Sequence, residues 1–325
     1  VSTGRSLLVL FLFPPLSRPN PLEMGLTTRD SADLPLHCKP VGRSVDFRAA
    51  AEIEVQSALL KDEWHHSVKW CTDAARYARV RTGKPLATRL SDADISAMIA
   101  AGTVVELKQG EVPMAFCNVF CVPEWSKDPP RRRRVCHPKT VNAACGRDTL
   151  RPLRLPTRRE IRAAVFRGAW VCCLDAASFF DQFALSDEVG RYFCFRDRSG
   201  RSFRLSAMAM GQRQSTEVAT ALMRLACSFV HDVRIDIATD NVRFIGSRQG
   251  VIDAVTEFCA RCDRLGLILN ELPRQPTAAQ VDAVVVQEAD FLGEVMDYHN
   301  KTVRIRKKII DRIEELWSLR GRWTV

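Results

Sequence analysis

The stretch that most constrains this chain is Trp170 to Leu185, WVCCLDAASFFDQFAL. The apolar run Trp170 to Leu174 is short and closes on a carboxylate, Asp175, which reads as a buried strand delivering an acidic group at its C-terminal end. Two adjacent aromatics, Phe179 and Phe180, then precede a second acid, Asp181. A carboxylate so placed can hold a metal ion beside a substrate, and it can equally cap a helix or close a turn. Which of these applies depends on what else in the chain can reach Asp175.

The chain is long enough, at 325 residues, to bury a sizeable core in one large domain or a few subdomains. Its 46% apolar and 26% charged content is that of a globular protein. The balance of 48 Lys plus Arg against 38 Asp plus Glu, net +10, favours a polyanionic partner, either nucleic acid or an anionic membrane. No apolar run reaches the length of a membrane span, so no membrane association is expected. The 12 cysteines are scattered through apolar runs, which suits free thiols in a reducing compartment. Neither Cys117 with Cys121 nor Cys259 with Cys262 has a second ligand pair at zinc spacing. An intracellular protein of cytoplasm or nucleus, not secreted, is expected.

Residues 1–45, rich in Pro, Ser and Arg, read as a disordered leader, with Met24 as a candidate start. From Asp46 to Arg81 the spacing of Trp64, Val68, Cys71, Ala75 and Ala78 predicts one helical face. Ser91 caps a helix that stops at Gly102, and strands follow at 103–107 and 114–123. KDPPRRRRVCHPKTVN, 127–142, predicts an extended segment with Arg131 to Arg134 on alternating faces, able to grip phosphate oxygens or simply solvated. Thr157 and Glu160 form a capping box for a helix to about Phe166. After the opening stretch come a hairpin around Arg198–Gly200, the segment MAMGQRQST at 208–216, and a long helix. VRIDIATDNVRFIGS reads as strand, turn and strand with Asp240 and Asn241 at the tip. A helix to Gly266, then LGLILN, a last strand pair opened by Phe291–Gly293 and a basic helix over 303–317 complete the chain.

The order of elements from residue 161 matches the split βαβ arrangement of a ferredoxin-like sheet. In such a sheet the strand ending at Asp175 lies beside the hairpin tipped by Asp240. Two carboxylates at one edge suit two divalent ions about 4 Å apart, the arrangement for in-line phosphoryl displacement. Arginines from 131–134 then neutralise a triphosphate, and the remaining basic surface follows a nucleic-acid backbone.

With these residues in place, 90–317 resembles the fingers and palm of a reverse transcriptase. LDAASFFDQFAL resembles the first palm motif, which implies Asp175 as metal ligand and Phe180 as the residue that rejects a ribose 2′-hydroxyl. MGQRQST resembles the glycine-containing motif that packs on template and incoming nucleotide, through Gly211, Gln212 and Ser215. ATDN takes the place of the tyrosine-x-Asp-Asp box, with Asp240 and Asn241 as its catalytic pair. RRRRVCHPKTVN resembles the fingers motif, with Arg133 as the triphosphate-binding arginine and Asn142 as its terminal asparagine. LGLILN, FLG and the basic helix resemble the later palm motifs and the start of the thumb.

The resemblance implies an α+β right-hand polymerase fold: helical and β fingers over 46–165, a ferredoxin-like palm over 166–297, and the start of a thumb over 298–325. It also implies RNA-directed DNA polymerase activity, two Mg²⁺ or Mn²⁺ ions, an RNA or DNA primer-template and deoxynucleoside triphosphates. Arg131, Arg132, Arg134, Lys307 and Lys308 are the expected backbone contacts. Retroelements of the long-terminal-repeat and DIRS-like type, and the trypanosomatid VIPER group among them, are the most similar. Two departures stand out: Ala238 replaces the tyrosine, and Asn241 replaces the second aspartate, which removes one negative charge from the site. Asp236 and Asp181 are candidate replacements, and an inactive relic that binds nucleic acid without extending it is the alternative reading. The lysine that often follows LN is absent, which leaves the general acid for pyrophosphate unassigned.

Overall fold

In the computed structural model the described residues are 33–85, 87–125, 127–146 and 154–320. The palm sheet is covered on both faces, so its strands are buried in runs with no period of two. Strands β1 (Val104–Glu106), β2 (Asn118–Glu124) and β3 (Arg131–His137) precede β4, the run Trp170–Asp175. Then follow β5 (Cys194–Arg196), β6 (Ser202–Leu205), β7 (Arg234–Ala238) and β8 (Asn241–Gly246). The palm sheet has the order β4-β8-β7, antiparallel throughout. β4 and β7 are therefore parallel with β8 between them, and the crossover joining them carries helix Ser215–Ala226. This is the expected split βαβ. After helix Arg248–Leu265 the chain touches the free side of β4 at Ala176↔Leu269 and Val171↔Val286, both antiparallel, so the fourth ferredoxin-like strand is reduced to isolated bridges.

Alternation along β4 and β8 sorts side chains between two cores. Cys172, Leu174, Val242 and Phe244 join Val218, Leu222, Val255 and Phe258 of the two helices. Val171 and Ile245 face the other way, into a smaller core with Ile161, Phe291, Met296 and Tyr298. Asp175 shares the parity of Val171, so it emerges on the face away from the long helices. The second core is roofed by a meander of β9 (Glu288–Phe291), β10 (Glu294–Asp297) and β11 (Thr302–Ile305). Arg243 is fully buried there, paired with Asp236 and hydrogen-bonded to Ile161 O at 3.0 Å and Tyr298 Oη at 3.2 Å. The fingers are the β2–β3 hairpin, set beside a β1-β6-β5 sheet.

Several expectations need correction. The predicted leader includes residues that are held in place: Leu36 bridges Arg132 in parallel with β3, and Arg43 and Val45 N–H groups donate to Asp181 and Gln182 carbonyls. Residues 1–32, with Met24, lie outside the described residues. The single helical face over 46–81 is instead helices Phe47–Glu52, Ala58–Ser67 and Lys69–Thr72 and a 3-10 turn Ala74–Tyr77. Asp73 caps that turn by accepting from Ala75 N–H at 3.0 Å, which resets the register. Trp64 and Cys71 stay buried, while Ala75 and Ala78 are exposed and Tyr77 takes the buried place. The helix after Thr157 ends at Ala163, and Val303–Ile305 forms strand β11 before the last helix starts at Lys307. No disulfide forms among the described residues, and none of their helices is long and apolar enough to cross a membrane.

Candidate active site

Sheet register assembles the acidic edge. Asp175 is paired across the strands with Asn241, and Ala176 N–H donates to Asp240 O at 3.0 Å, so the hairpin tip lies against the end of β4. The tip turns through Thr239, whose φ is +61°. Asn241 Nδ2 donates to Asp240 Oδ1 at 3.1 Å. Behind Asp175 runs the segment after Gly266. Asn270 Nδ2 donates to Asp175 Oδ2 at 2.7 Å, and Asp175 N–H donates to Glu271 Oε2 at 2.9 Å. Burial, then the neighbouring carboxylates of Asp240 and Glu271, push the Asp175 carboxyl up to about 6, with Asn270 and Lys127 acting in opposition. The edge thus holds excess negative charge at close quarters, as a cation site does before its cation arrives.

The opposite wall comes from β3. A cleft of about 440 Å³ separates the two, lined on one side by Asp175, Asp240 and Glu271 and on the other by Arg131, Arg133 and Arg134. Arg131 Nε donates to Glu124 at 2.8 Å, and Arg133 lies 3.6 Å from the same carboxylate, half exposed. Arg134 is paired with Asp181. Arg132 is the correction in this run. It grips Asp94 with both terminal nitrogens, at 3.0 and 2.7 Å, and donates to Leu34 O at 2.6 Å, so it braces the fingers instead of facing a nucleic-acid backbone. Strand parity groups it with Arg134, which does line the cleft, so the pull of Asp94 and Leu34 O, not alternation alone, sets Arg132 apart.

The turn before helix Ser215–Ala226 packs directly on β3. A Cβ on Gly211 would stand 1.9 Å from Cys136 O, so only glycine fits this backbone approach. Asn142 clamps the turn, donating to Gly211 O at 2.8 Å and accepting from Arg213 N–H at 3.0 Å. Gln212 and Ser215, predicted to contact nucleotide, are buried and engaged elsewhere: Gln212 Nε2 donates to Tyr77 Oη at 2.8 Å, and Ser215 Oγ to Ala209 O at 2.6 Å. Met210 lines the cleft in their stead. Phe179 and Phe180 both line it, in a 3-10 turn that follows Ser178 at φ +46°. Gln182, fully buried, fixes that turn by donating to Ala177 O at 2.6 Å and Ile268 O at 2.9 Å.

Both candidates for the missing aspartate are paired with arginines, and only Asp181 lines the cleft. Asp236 is buried against Arg243 in the second core, and Asp181 is paired with Arg134. The available donors at the edge are two carboxylates and an amide, hard oxygen ligands that suit Mg²⁺ or Mn²⁺. Among the described residues, no group of three or more His, Cys, Asp or Glu side chains is arranged to hold a metal ion. Lys307 and Lys308 are exposed at the start of the last helix, and neither is among the described residues that line the cleft. Sequence reasoning missed Glu271, Asn270 and Lys39, all of which line the cleft. Asn270 closes LGLILN, the stretch read as a later palm motif, and Glu271 follows it; the motif reading gives neither a contact to Asp175.

No protein-family profile matches the sequence, and no curated protein is similar to it. Solved structures do match. A foamy viral protease-reverse transcriptase (dRH) in complex with double-stranded DNA aligns with a TM-score of 0.54 at 13% identity, over 72% of this chain and 38% of that one. The foamy viral enzyme in complex with an RNA/DNA hybrid gives 0.53 at 12%, over 75% and 32%. The same enzyme with double-stranded DNA gives 0.52 at 11%, over 84% and 60%. The chain thus spans less than two-thirds of the length of each. At such identities the likeness is one of fold, and the architecture described above is accordingly a reverse-transcriptase-like α+β polymerase fold.

Proposed function

We propose that this chain is the fingers and palm of an RNA-directed DNA polymerase, a nucleotidyltransferase of a retroelement of the long-terminal-repeat or DIRS-like type, close to the VIPER group. The observation that carries the reading is one cleft with Asp175 and Asp240 on one wall and three arginines on the other, within this fold. In the reaction a primer 3′-oxygen bonds to the α-phosphorus of a deoxynucleoside triphosphate, and the bond to the bridging oxygen breaks to release pyrophosphate. Two Mg²⁺ or Mn²⁺ ions, held by Asp175 and Asp240 with the Asn241 amide, would supply the charge that acidifies the 3′-hydroxyl and steadies the leaving pyrophosphate. Arg133, half exposed on the facing wall, binds the triphosphate with Arg131 and Arg134 beside it. Phe180 presents a ring where a 2′-hydroxyl would pass, and the Gly211 turn packs against template and nucleotide. The net charge of +10 tracks primer and template.

Extension of a DNA primer on an RNA template with Mg²⁺ or Mn²⁺ tests this reading. Wild type extends, Asp175→Asn does not, and Phe180→Ala admits ribonucleotides roughly tenfold more readily, since a steric contact of this size is worth 1–3 kcal/mol. A second reading has its own support: Asn241 spends its amide N–H on Asp240 and brings no charge, as in a palm that has lost catalysis. No extension with either metal, together with salt-sensitive binding of primer-template, would establish that inactive relic.

A further inference from the structure

Residues 34–45 form a strap between fingers and palm. Its first part is pinned to β3: His37 N–H donates to Arg132 O, and Arg132 N–H to Pro35 O, both at 2.8 Å. Its last part is pinned to the palm turn that carries the two phenylalanines, through Arg43 N–H to Asp181 O at 2.9 Å and Val45 N–H to Gln182 O at 3.0 Å. Lys39 lies between the two anchor points, half-buried, and lines the cleft that holds Asp175 and Asp240. Its Nζ donates to Asn270 Oδ1, and the other end of that amide holds Asp175 Oδ2 at 2.7 Å. The amide orientation is therefore set from both sides, oxygen toward the ammonium and nitrogen toward the carboxylate.

Charge accounting on the cleft separates Lys39 from the arginines. Arg131 and Arg133 share Glu124, and Arg134 is paired with Asp181. The partner of Lys39 is a neutral amide oxygen. A phosphate oxygen entering near the arginines competes with carboxylates, whereas at Lys39 it competes with an uncharged acceptor. An ammonium group has three N–H donors, so Lys39 can keep Asn270 and still donate to a polyphosphate.

We propose that Lys39, delivered by the strap, is a polyphosphate-contacting residue of the nucleotide site. The inference rests on the polymerase reading above and extends it: beside Lys127, which also lines the cleft, a second lysine reaches the acidic edge from a segment outside both fingers and palm. Lys39 also positions Asp175 through Asn270, which couples nucleotide arrival to the geometry of the acidic edge.

The test uses the whole chain with an oligo(dT) primer on poly(rA), dTTP as substrate, and inorganic pyrophosphate as a binding probe read by calorimetry. Lys39→Gln keeps an N–H for Asn270 and removes the charge; Lys39→Arg keeps the charge. Lys39→Gln is expected to raise the KM for dTTP and weaken pyrophosphate binding roughly tenfold, with a smaller change in kcat and an unchanged Tm, and Lys39→Arg to restore most of both. A KM and pyrophosphate affinity within about twofold of wild type in Lys39→Gln, or a loss that Lys39→Arg does not restore, overturns the inference. Wild-type extension alongside an unaffected Lys39→Gln removes the Lys39 role alone. A wild type that neither extends nor binds dTTP or pyrophosphate removes the polymerase reading and this inference together.

Discussion

The two walls of the cleft handle charge in opposite ways. On β3 nearly every guanidinium already has an acidic partner: Arg132 has Asp94, Arg134 has Asp181, and Arg131 and Arg133 share Glu124. On the palm edge Asp175 and Asp240 meet with no such neutralisation, and Glu271 adds a third carboxylate nearby. The fingers wall is neutralised as it stands, and under the proposed function it would exchange local ion pairs for an anion. The palm wall keeps carboxylates that repel one another, a repulsion that a cation would relieve under the proposed function. Four consecutive arginines therefore do not share one environment, whereas two carboxylates separated by 65 residues of sequence do.

The largest effect that breaks this contrast is at Asp175. Asp175→Asn should lower primer extension by at least roughly a thousandfold, the scale of losing a charge-stabilising group from a transition state. The same substitution should stabilise the fold. The Asp175 carboxyl is held at about 6, above its ordinary 3.8, so the folded chain retains a proton that the unfolded chain has lost between those values. Stability falls as pH rises through that window, and the penalty is complete above it. Thermal melting should show Asp175→Asn more stable than wild type at pH 7 and equal to it near pH 4.

Next in size are the adjacent arginines. Arg132→Ala strands Asp94, which is 4% exposed, and should cost about 3 kcal/mol in chemical denaturation while leaving the KM for nucleotide unchanged. Arg133→Ala should do the reverse, raising that KM roughly tenfold with stability altered by less than about 0.5 kcal/mol. Gly211→Ala forces the turn away from Cys136 O and should cost about 1–3 kcal/mol, with a raised KM because β3 and the turn no longer share one position. Smallest is Asn241→Asp. It adds a carboxylate to the edge, so calorimetric Mn²⁺ affinity should rise a few-fold while the metal-free protein melts slightly lower.

Much of this architecture was legible from local pattern. The apolar run before Asp175, the capping residues Ser91 and Thr157 and the positive-φ stop at Gly266 are short-range signals that packing did not override. The meeting of Asp175 with Asp240 followed from strand order alone. What stayed hidden depended on tertiary contact. Gln212 and Ser215 occupy motif positions that point inward here because Tyr77 and Ala209 take their polar atoms. Arg132 shares its strand parity with Arg134 and is set apart by Asp94, 38 residues away. Lys39 sits in a stretch whose composition suggested disorder, and only its hydrogen bonds to β3 and the palm reveal the strap.

Under the proposed function the acidic edge and the arginine wall bind opposite ends of one metal-nucleotide. Mn²⁺ affinity measured by electron paramagnetic resonance, with primer-template present and with or without a deoxynucleoside triphosphate, tests it most directly. Nucleotide should tighten Mn²⁺ binding roughly tenfold in wild type, a coupling of the usual allosteric size. Arg133→Ala should lose that tightening while keeping the affinity seen without nucleotide. A tightening that survives intact in both Arg133→Ala and Asp175→Asn would show that the two walls do not share a ligand and would contradict the account.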